Sequence, residues 1–148
     1  MMADFEIPFP LDQRASFRFW SDDKIRFGDL DPLGHVNNAV YSTFSESGRV
    51  AFVDALGWPA LSAETMWVLA RLTIEFRAPL RFPGRVEVGT RPARIGRSSV
   101  VFAQGMFAGE VCAATAAAVA VLADRGTERS TPLPDELRRR LEGHLAAG

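Results

Sequence analysis

The sequence predicts an α+β domain in which an antiparallel five-stranded sheet wraps around one central helix. Three observations carry this expectation. A single long apolar-periodic segment, Asn38 to Leu56, has helical spacing. The segments after it alternate apolar and polar residues, or run apolar, over strand lengths. Their connections are short and hold Gly or Pro, which suits hairpins rather than crossovers.

Taken in order, residues 1–15 hold Pro8 and Pro10 and read as an irregular arm, with Phe5 and Phe9 as packing candidates. Phe17 to Phe27 reads as a first strand in two pieces, with Ser21-Asp22-Asp23 as a turn or bulge between them. In the helix, Tyr41, Phe44, Gly48, Phe52 and Ala55 form one face; Val40, Ala51, Val53 and Leu56 widen it, so the helix is expected to be buried over much of its girth. Gly57 stops it and Pro59 prevents continuation. Residues 58–65 form a loop.

Trp67 to Ala78 reads as the second strand, with Val68, Ala70, Leu72, Ile74 and Phe76 on one face and Arg71, Thr73, Glu75 and Arg77 on the other. Arg85 to Ile95 is the third, where Pro92 marks an edge or a bulge. Ser99 to Phe107 is the fourth and Glu110 to Leu122 the fifth. That last segment is alanine-rich, and the hairpin spacing before it decides for strand. Pro134-Asp135-Glu136 opens a C-terminal helix within 132–148, with Leu137, Leu141 and Leu145 as its apolar stripe. The chain, 1–148, reads as one domain.

Composition narrows the function. A net charge of −1 does not point to nucleic acid or an anionic membrane. The single Cys112 excludes an internal disulfide and fits a reducing compartment. The longest apolar run, Val111 to Ala123, is too short to span a bilayer. No secretory signal is visible, so a cytoplasmic protein is expected. With only His35, His144 and one Cys there is no metal-ligand cluster, and neither metal nor cofactor is expected. A Gly-x-Ser-x-Gly elbow and a Rossmann glycine pattern are both absent. Basic residues are sixteen Arg against the single Lys24, and Arg suits forked phosphate contacts.

The chemistry concentrates in Gly28 to Tyr41: Gly28-Asp29-Leu30-Asp31-Pro32-Leu33-Gly34-His35-Val36-Asn37-Asn38-Ala39-Val40-Tyr41. Physically this is a strand end, a Pro-x-Gly turn and an Asn-capped helix start. Unpaired amide N–H groups at such a start hold an anion or a developing oxyanion, and its dipole favours an ionised carboxylate just before it. The pattern Asp-x-Asp-Pro-x-Gly-His-Val-Asn-Asn-x-x-Tyr resembles the signature of hotdog-fold acyl-CoA thioesterases, nearest to the 4-hydroxybenzoyl-CoA thioesterase family and its long-chain acyl-CoA and acyl-ACP relatives. The resemblance extends over roughly residues 18 to 124. It implies the hotdog fold, hydrolysis of acyl-CoA without metal, and a homodimer or homotetramer with active sites at the dimer interface.

The resemblance implies Asp31 as the catalytic carboxylate, acting as base or nucleophile; the reading beside it is a turn-forming residue before Pro32. His35 is a candidate auxiliary. Plant-type acyl-ACP enzymes show Asp-x-Asn-x-His here, which Asp31 and His35 match and Leu33 does not; the hydroxybenzoyl-CoA type matches at Asp31-Pro32-x-Gly34. Asn38 is the expected oxyanion position through its main chain, and Asn37 and Asn38 are expected helix caps. Glu46 aligns with an acidic helix residue of the long-chain branch, or pairs with Arg49 at i,i+3. Asn37, Tyr41 and the stretch Arg97-Ser98-Ser99 are expected to bind substrate, the last at the pantetheine or nucleotide. Arg77, Arg81, Arg85, Arg94 and Arg97 are candidates for CoA phosphates, and Asp29 reads as a solvated strand-end charge or an arginine partner. Trp20, Trp58, Trp67 and Phe82 are pocket or core aromatics. A hydroxyacyl dehydratase, a non-catalytic acyl- or CoA-binding module and an acyl-ACP thioesterase are the alternatives, and the acyl group stays open.

Overall fold

A computed structural model describes residues 6–145 of the protein; Phe5 lies outside them. The elements are β1 (Phe19–Ile25), α1 (Val40–Ala55), β2 (Thr65–Phe76), β3 (Gly84–Ile95), β4 (Ser99–Ala108), β5 (Val111–Asp124) and α2 (Asp135–Leu145). The five strands form one antiparallel sheet in the order β1-β3-β4-β5-β2. This is the hotdog architecture: the sheet curls around α1.

The helix is held by two apolar clusters. Toward its N-terminus Tyr41 and Phe44 pack with Ile25, Val86, Val88, Met106 and Ala114. Toward its C-terminus Phe52, Val53 and Leu56 pack with Phe102, Ala120, Leu133, Leu137 and Leu141, so α2 closes that end. Between the clusters α1 comes very close to the sheet at Gly48. A Cβ there would stand 2.8 Å from both Val88 Cγ1 and Gln104 Nε2. The close approach lets a buried polar chain bridge helix and sheet. Arg49 Nη1 donates to Ser45 Oγ at 2.5 Å, Ser45 Oγ donates to Gln104 Oε1 at 2.5 Å, and Gln104 Nε2 donates to Ser45 O and Thr90 Oγ1. The sequence reading placed none of these polar residues in the core. Ala55, expected on the buried face, is exposed.

The helix ends as Gly57 and Pro59 foretell. Gly57 adopts φ +77°, its N–H reaches Asp54 O, and the Trp58 N–H reaches Val53 O at 3.0 Å. These two bonds make a Schellman C-terminus. The alanine-rich β5 is a strand, as hairpin spacing required. Its small side chains, Ala114, Ala116 and Ala120 among them, meet the helix-side clusters without displacing α1.

Strand pairing overturns two expectations and decides a third. Strand β1 is continuous from Phe19↔Thr90 to Ile25↔Gly84, so Ser21-Asp22-Asp23 forms neither turn nor bulge. It is an edge strand, and exposed Asp22 answers Arg85 of β3 across the ladder in an ion pair. Pro92 does sit at a bulge, between Pro92 and Arg94 in the β3–β4 ladder, but β3 is internal to the sheet. The missing N–H is tolerated because β1 pairing stops at Thr90. In β2 the register against β5 shifts between Leu69 and Arg71, leaving Ala70 as an extra residue. The alternation changes phase there: Trp67 packs on the core before the bulge, Leu72 and Ile74 after it. Val68, Leu69 and Phe76 are exposed at 42 %, 44 % and 51 %.

Among the described residues the N-terminal arm has no regular element before a 3-10 turn at Arg14–Ser16. It lies over the outer sheet face, where Leu11 O and Phe17 crowd Gly105, and Phe9 packs under the Arg91 guanidinium. No helix among the described residues is long and apolar enough to cross a membrane.

Candidate active site at the start of the central helix

After β1 the chain makes a 3-10 turn at Phe27–Asp29 and then a tight hairpin closed by the Leu30↔Val36 bridge. Its tip is Asp31-Pro32-Leu33-Gly34. Gly34 takes φ +81°, which a side chain would resist, and its N–H reaches Asp31 O at 3.0 Å. The Asp31 side chain shapes this tip. Its Oδ1 accepts the Leu33 N–H at 2.8 Å and the His35 N–H at 3.4 Å, while the Asp31 N–H donates to His35 O. Asp31 is therefore a turn former, and that does not exhaust it. Oδ2 makes no hydrogen bond among the described residues, and Asp31 lines a cleft of about 350 Å³.

The cleft brings Asp31, His35, Asn38 and Tyr41 together with Phe76, Arg77, Ala78 and Pro79. The opposite wall is thus the end of β2 and the turn after it. Only Arg77 of that wall was a sequence candidate, and it pairs with Asp12 at 3.0 Å. A breaker such as Pro79 marks a strand end, but nothing in the chain order says which loop that end will face.

Hydrogen bonds anchor this region on both sides of the turn. Asp29 is 4 % exposed, not the solvated charge expected. Its carboxylate takes the Arg26 N–H at 2.8 Å and the Arg26 guanidinium at 3.1 Å, and its carbonyl takes the Asn37 N–H. Val36 N–H donates to Leu80 O, and Leu80 N–H donates to the Tyr41 hydroxyl at 3.3 Å. Burial pushes the Tyr41 hydroxyl pKa up; the Leu80 bond opposes this more weakly.

The helix start differs from the expected Asn-capped terminus. Helix α1 begins at Val40, and its capping position is Ala39, in helical conformation with no side-chain cap. The N–H groups of Val40, Tyr41 and Ser42 are taken by the carbonyls of Asn37, Asn38 and Ala39, and Asn37 Oδ1 takes the Ala39 N–H at 3.0 Å. A tightened first turn satisfies these donors locally. The open donor narrows to the N–H of Asn38, which lines the cleft with Asp31 and has no partner for this group among the described residues.

His35 touches Asp31 only through backbone; no hydrogen bond joins its imidazole to the carboxylate. Asn37 is spent on the helix start and does not line the cleft. Glu46 is not brought to Asp31: it is exposed, lines a different cavity, and makes no ion pair with Arg49, whose guanidinium turns inward onto Ser45. Arg97 and Ser98 lie in the β3–β4 connection and Ser99 opens β4; none of the three lines the cleft. Arg97 O accepts the Leu133 N–H, which docks the segment before α2, and Ser98 O accepts the Leu122 N–H of β5. Arg85 is paired with Asp22; Arg81 and Arg94 are exposed. Of the aromatics, Trp20 packs on Phe17 and Phe107, Trp58 and Trp67 on the second core cluster, and exposed Phe82 on Phe27.

Comparison with known proteins agrees with this architecture. The chain belongs to the thioesterase-like superfamily, whose family model matches residues 25–141. A chloroplastic acyl-acyl carrier protein thioesterase of Arabidopsis thaliana is 37% identical over 87 residues, spanning 57% of this chain and 46% of that protein; the chain thus covers about half the length of that relative. A thioesterase of Thermus thermophilus, solved complexed with coenzyme A and Zn, superposes with a TM-score of 0.77 at 32% identity, over 88% of this chain and 96% of that one. A protein of Pseudomonas aeruginosa strain PAO1 superposes with a TM-score of 0.81 at 30% identity, over 88% and 94%.

Proposed function

We propose that the protein hydrolyses acyl-CoA thioesters to the free acid and CoA, with Asp31 as the reacting carboxylate. One observation carries the reading: Asp31 Oδ1 is pinned by two backbone N–H groups while Oδ2 has no hydrogen-bond partner among the described residues, and Asp31 lines one cleft with Asn38, whose N–H is likewise unpartnered among them. A carboxylate fixed in this way has one oxygen for chemistry and little freedom to turn away. As general base, Oδ2 takes a proton from water as the water oxygen attacks the thioester carbonyl. As nucleophile, it forms a mixed anhydride that water then cleaves. In both routes the Asn38 N–H receives the developing oxyanion, the C–S bond breaks, and the thiolate leaves and is protonated. His35 and Tyr41 bound the same cleft and serve as positioning or proton-transfer groups. The CoA carrier is supported by the coenzyme A held by the Thermus thermophilus thioesterase.

A carrier-protein thioester is the second reading, favoured by the similarity to the acyl-acyl carrier protein thioesterase. A dimer also belongs to the proposal. Strand β2 is a sheet edge of 12 residues with exposed Val68, Leu69 and Phe76, a surface suited to pairing with a second copy.

The test is thiol release from acyl-CoA and acyl-carrier-protein panels spanning short, long, branched and aryl groups, with wild type beside Asp31→Asn. Asparagine keeps an Oδ1 for the Leu33 and His35 N–H groups, so the turn survives. A folded variant slowed at least about a hundredfold supports Asp31 as the reacting group. Equal rates would remove Asp31 from the mechanism; no turnover by wild type on either panel would leave a non-catalytic binding module.

A further inference from the structure

The turns at the cleft end of the sheet hold large apolar side chains in the open. Phe27, on the 3-10 turn after β1, is 75 % exposed, and Phe82, on the turn between β2 and β3, is 42 % exposed. Their rings meet edge to face at 5.6 Å. Leu33, at the hairpin tip that borders the cleft, is 82 % exposed. The bond from Val36 N–H to Leu80 O ties that hairpin to the turn carrying Phe82. All three residues sit on turns rather than in a groove, and the Asp31 chemistry uses none of them.

Cations flank the two rings. Arg26 and Arg81 immediately precede Phe27 and Phe82, and Lys24 stands opposite Arg85, one pair in from the end of the β1–β3 ladder that leads to both turns. All four basic side chains are exposed. The nearby carboxylates do not cancel them. Asp29 is buried and bonded to Arg26, Asp22 is bridged to Arg85, and Asp23 and Asp31 are half-buried. Lys24 and Arg81 have no ionic partner among the described residues. The net charge of −1 sums the whole chain and so hides this local excess.

We propose that this end of the fold docks on an anionic lipid surface, with Phe27, Phe82 and Leu33 entering the headgroup region and Lys24, Arg26, Arg81 and Arg85 meeting lipid phosphates. Apolar tips beside basic side chains match that boundary, where apolar burial and attraction to anionic lipid add. The three arginines suit it further, since the planar guanidinium fork matches phosphate. A protein partner fits less well. Even with Leu33 added, the exposed apolar area is on the order of 400 Å², about half of the roughly 800 Å² that a stable partner covers on each side. Pairing of two copies along β2 leaves the surface open, because Lys24 and Arg85 belong to β1 and β3, at the other side of the sheet. Docking sets the Asp31 cleft beside the lipid, but it is read without turnover and does not rest on thioester hydrolysis.

Co-sedimentation of the full chain with vesicles tests it, using phosphatidylcholine alone and phosphatidylcholine mixed with phosphatidylglycerol. Wild type is expected to bind the mixed vesicles at least about tenfold more tightly than the neutral ones. It should be released as salt rises to about 1 M, where charges are screened beyond ~3 Å. Two double variants alter only exposed side chains: Phe27→Ser with Phe82→Ser, and Lys24→Glu with Arg81→Glu. Each should keep the unfolding midpoint and weaken binding at least about tenfold. Leu61→Ser removes a leucine that is 60 % exposed in the loop before β2, outside the patch, and should bind as wild type does. Equal binding to neutral and anionic vesicles, undiminished binding in either double variant, or loss of binding in Leu61→Ser would each overturn the proposal. No binding at low salt would overturn it in favour of an acidic protein partner. Release by free CoA, but not by salt of equal ionic strength, would overturn it by giving the cations to CoA phosphates.

Discussion

Asp31 shows how one side chain serves two purposes at the residue scale. The turn it builds holds it still, so the turn-forming and reactive readings are two consequences of one geometry. Tyr41 is similar: it borders the cleft, yet its hydroxyl also takes the Leu80 N–H. Leu80 is 1 % exposed, so Tyr41→Phe strands a buried donor. A loss of about 1–3 kcal/mol is expected from urea unfolding. Cys112 carries a pH prediction. Its thiol pKa is raised, chiefly by burial, above the ordinary 9.0. The unfolded chain therefore gives up this proton first. The group's contribution is intact below about pH 9 and is lost as pH climbs through the folded value. Wild type should lose stability relative to Cys112→Ala between neutral pH and strongly alkaline pH, read as converging urea midpoints. The opposite trend would mean that the folded thiol ionises more readily than the unfolded one.

Helix α1 is the element the others are fitted to, and Gly48 is where the fit is closest. Gly48→Ala gains helix propensity of up to about 1 kcal/mol. It also drives a methyl into Val88 and Gln104 at 2.8 Å. Val88 sits on a strand and Gln104 is locked in the buried polar chain, so neither yields cheaply. The clash should win, with a net destabilisation of about 1–2 kcal/mol by thermal or denaturant unfolding. A Gly48→Ala variant as stable as wild type would show that the helix can slide off the sheet. The β2 bulge at Ala70 is the other decision made at this scale. It turns Val68 and Leu69 outward while Trp67 stays on the core.

For the whole molecule, the open question is the β2 edge. If two copies pair there, a charge on it should separate them. Val68 also lines the cavity beside Glu46 and Phe76 lines the Asp31 cleft, so for Phe76→Lys and Val68→Lys the readout is oligomeric state and not activity. Sedimentation is expected to show wild type as a dimer or larger and both variants shifted toward monomer. A monomeric wild type would end the proposal of a shared sheet. The sheet order β1-β3-β4-β5-β2 makes this test meaningful, because β2 and β1 are the only edges the described strands leave.

Local periodicity and breakers carried much of the fold. Residues spaced three and four apart define α1, Gly57 and Pro59 end it, and short turns force the antiparallel hairpins among the strands that follow. The strand identity of alanine-rich β5 was legible for the same reason: the turn before it leaves no room for another connection. The Asp31-Pro32-x-Gly34 turn was equally local, since its hydrogen bonds close within five residues. What tertiary structure alone decided depends on partners distant in the chain. Ala70 becomes a bulge only because β5 sets its register. Asp29 becomes buried only because the hairpin folds back on Arg26 and Asn37. Glu46 parts from Asp31, and Arg49 turns inward, because Gly48 lets the helix sink toward Gln104. Spacing along a chain states which residues share a face; which wall that face meets is settled by packing.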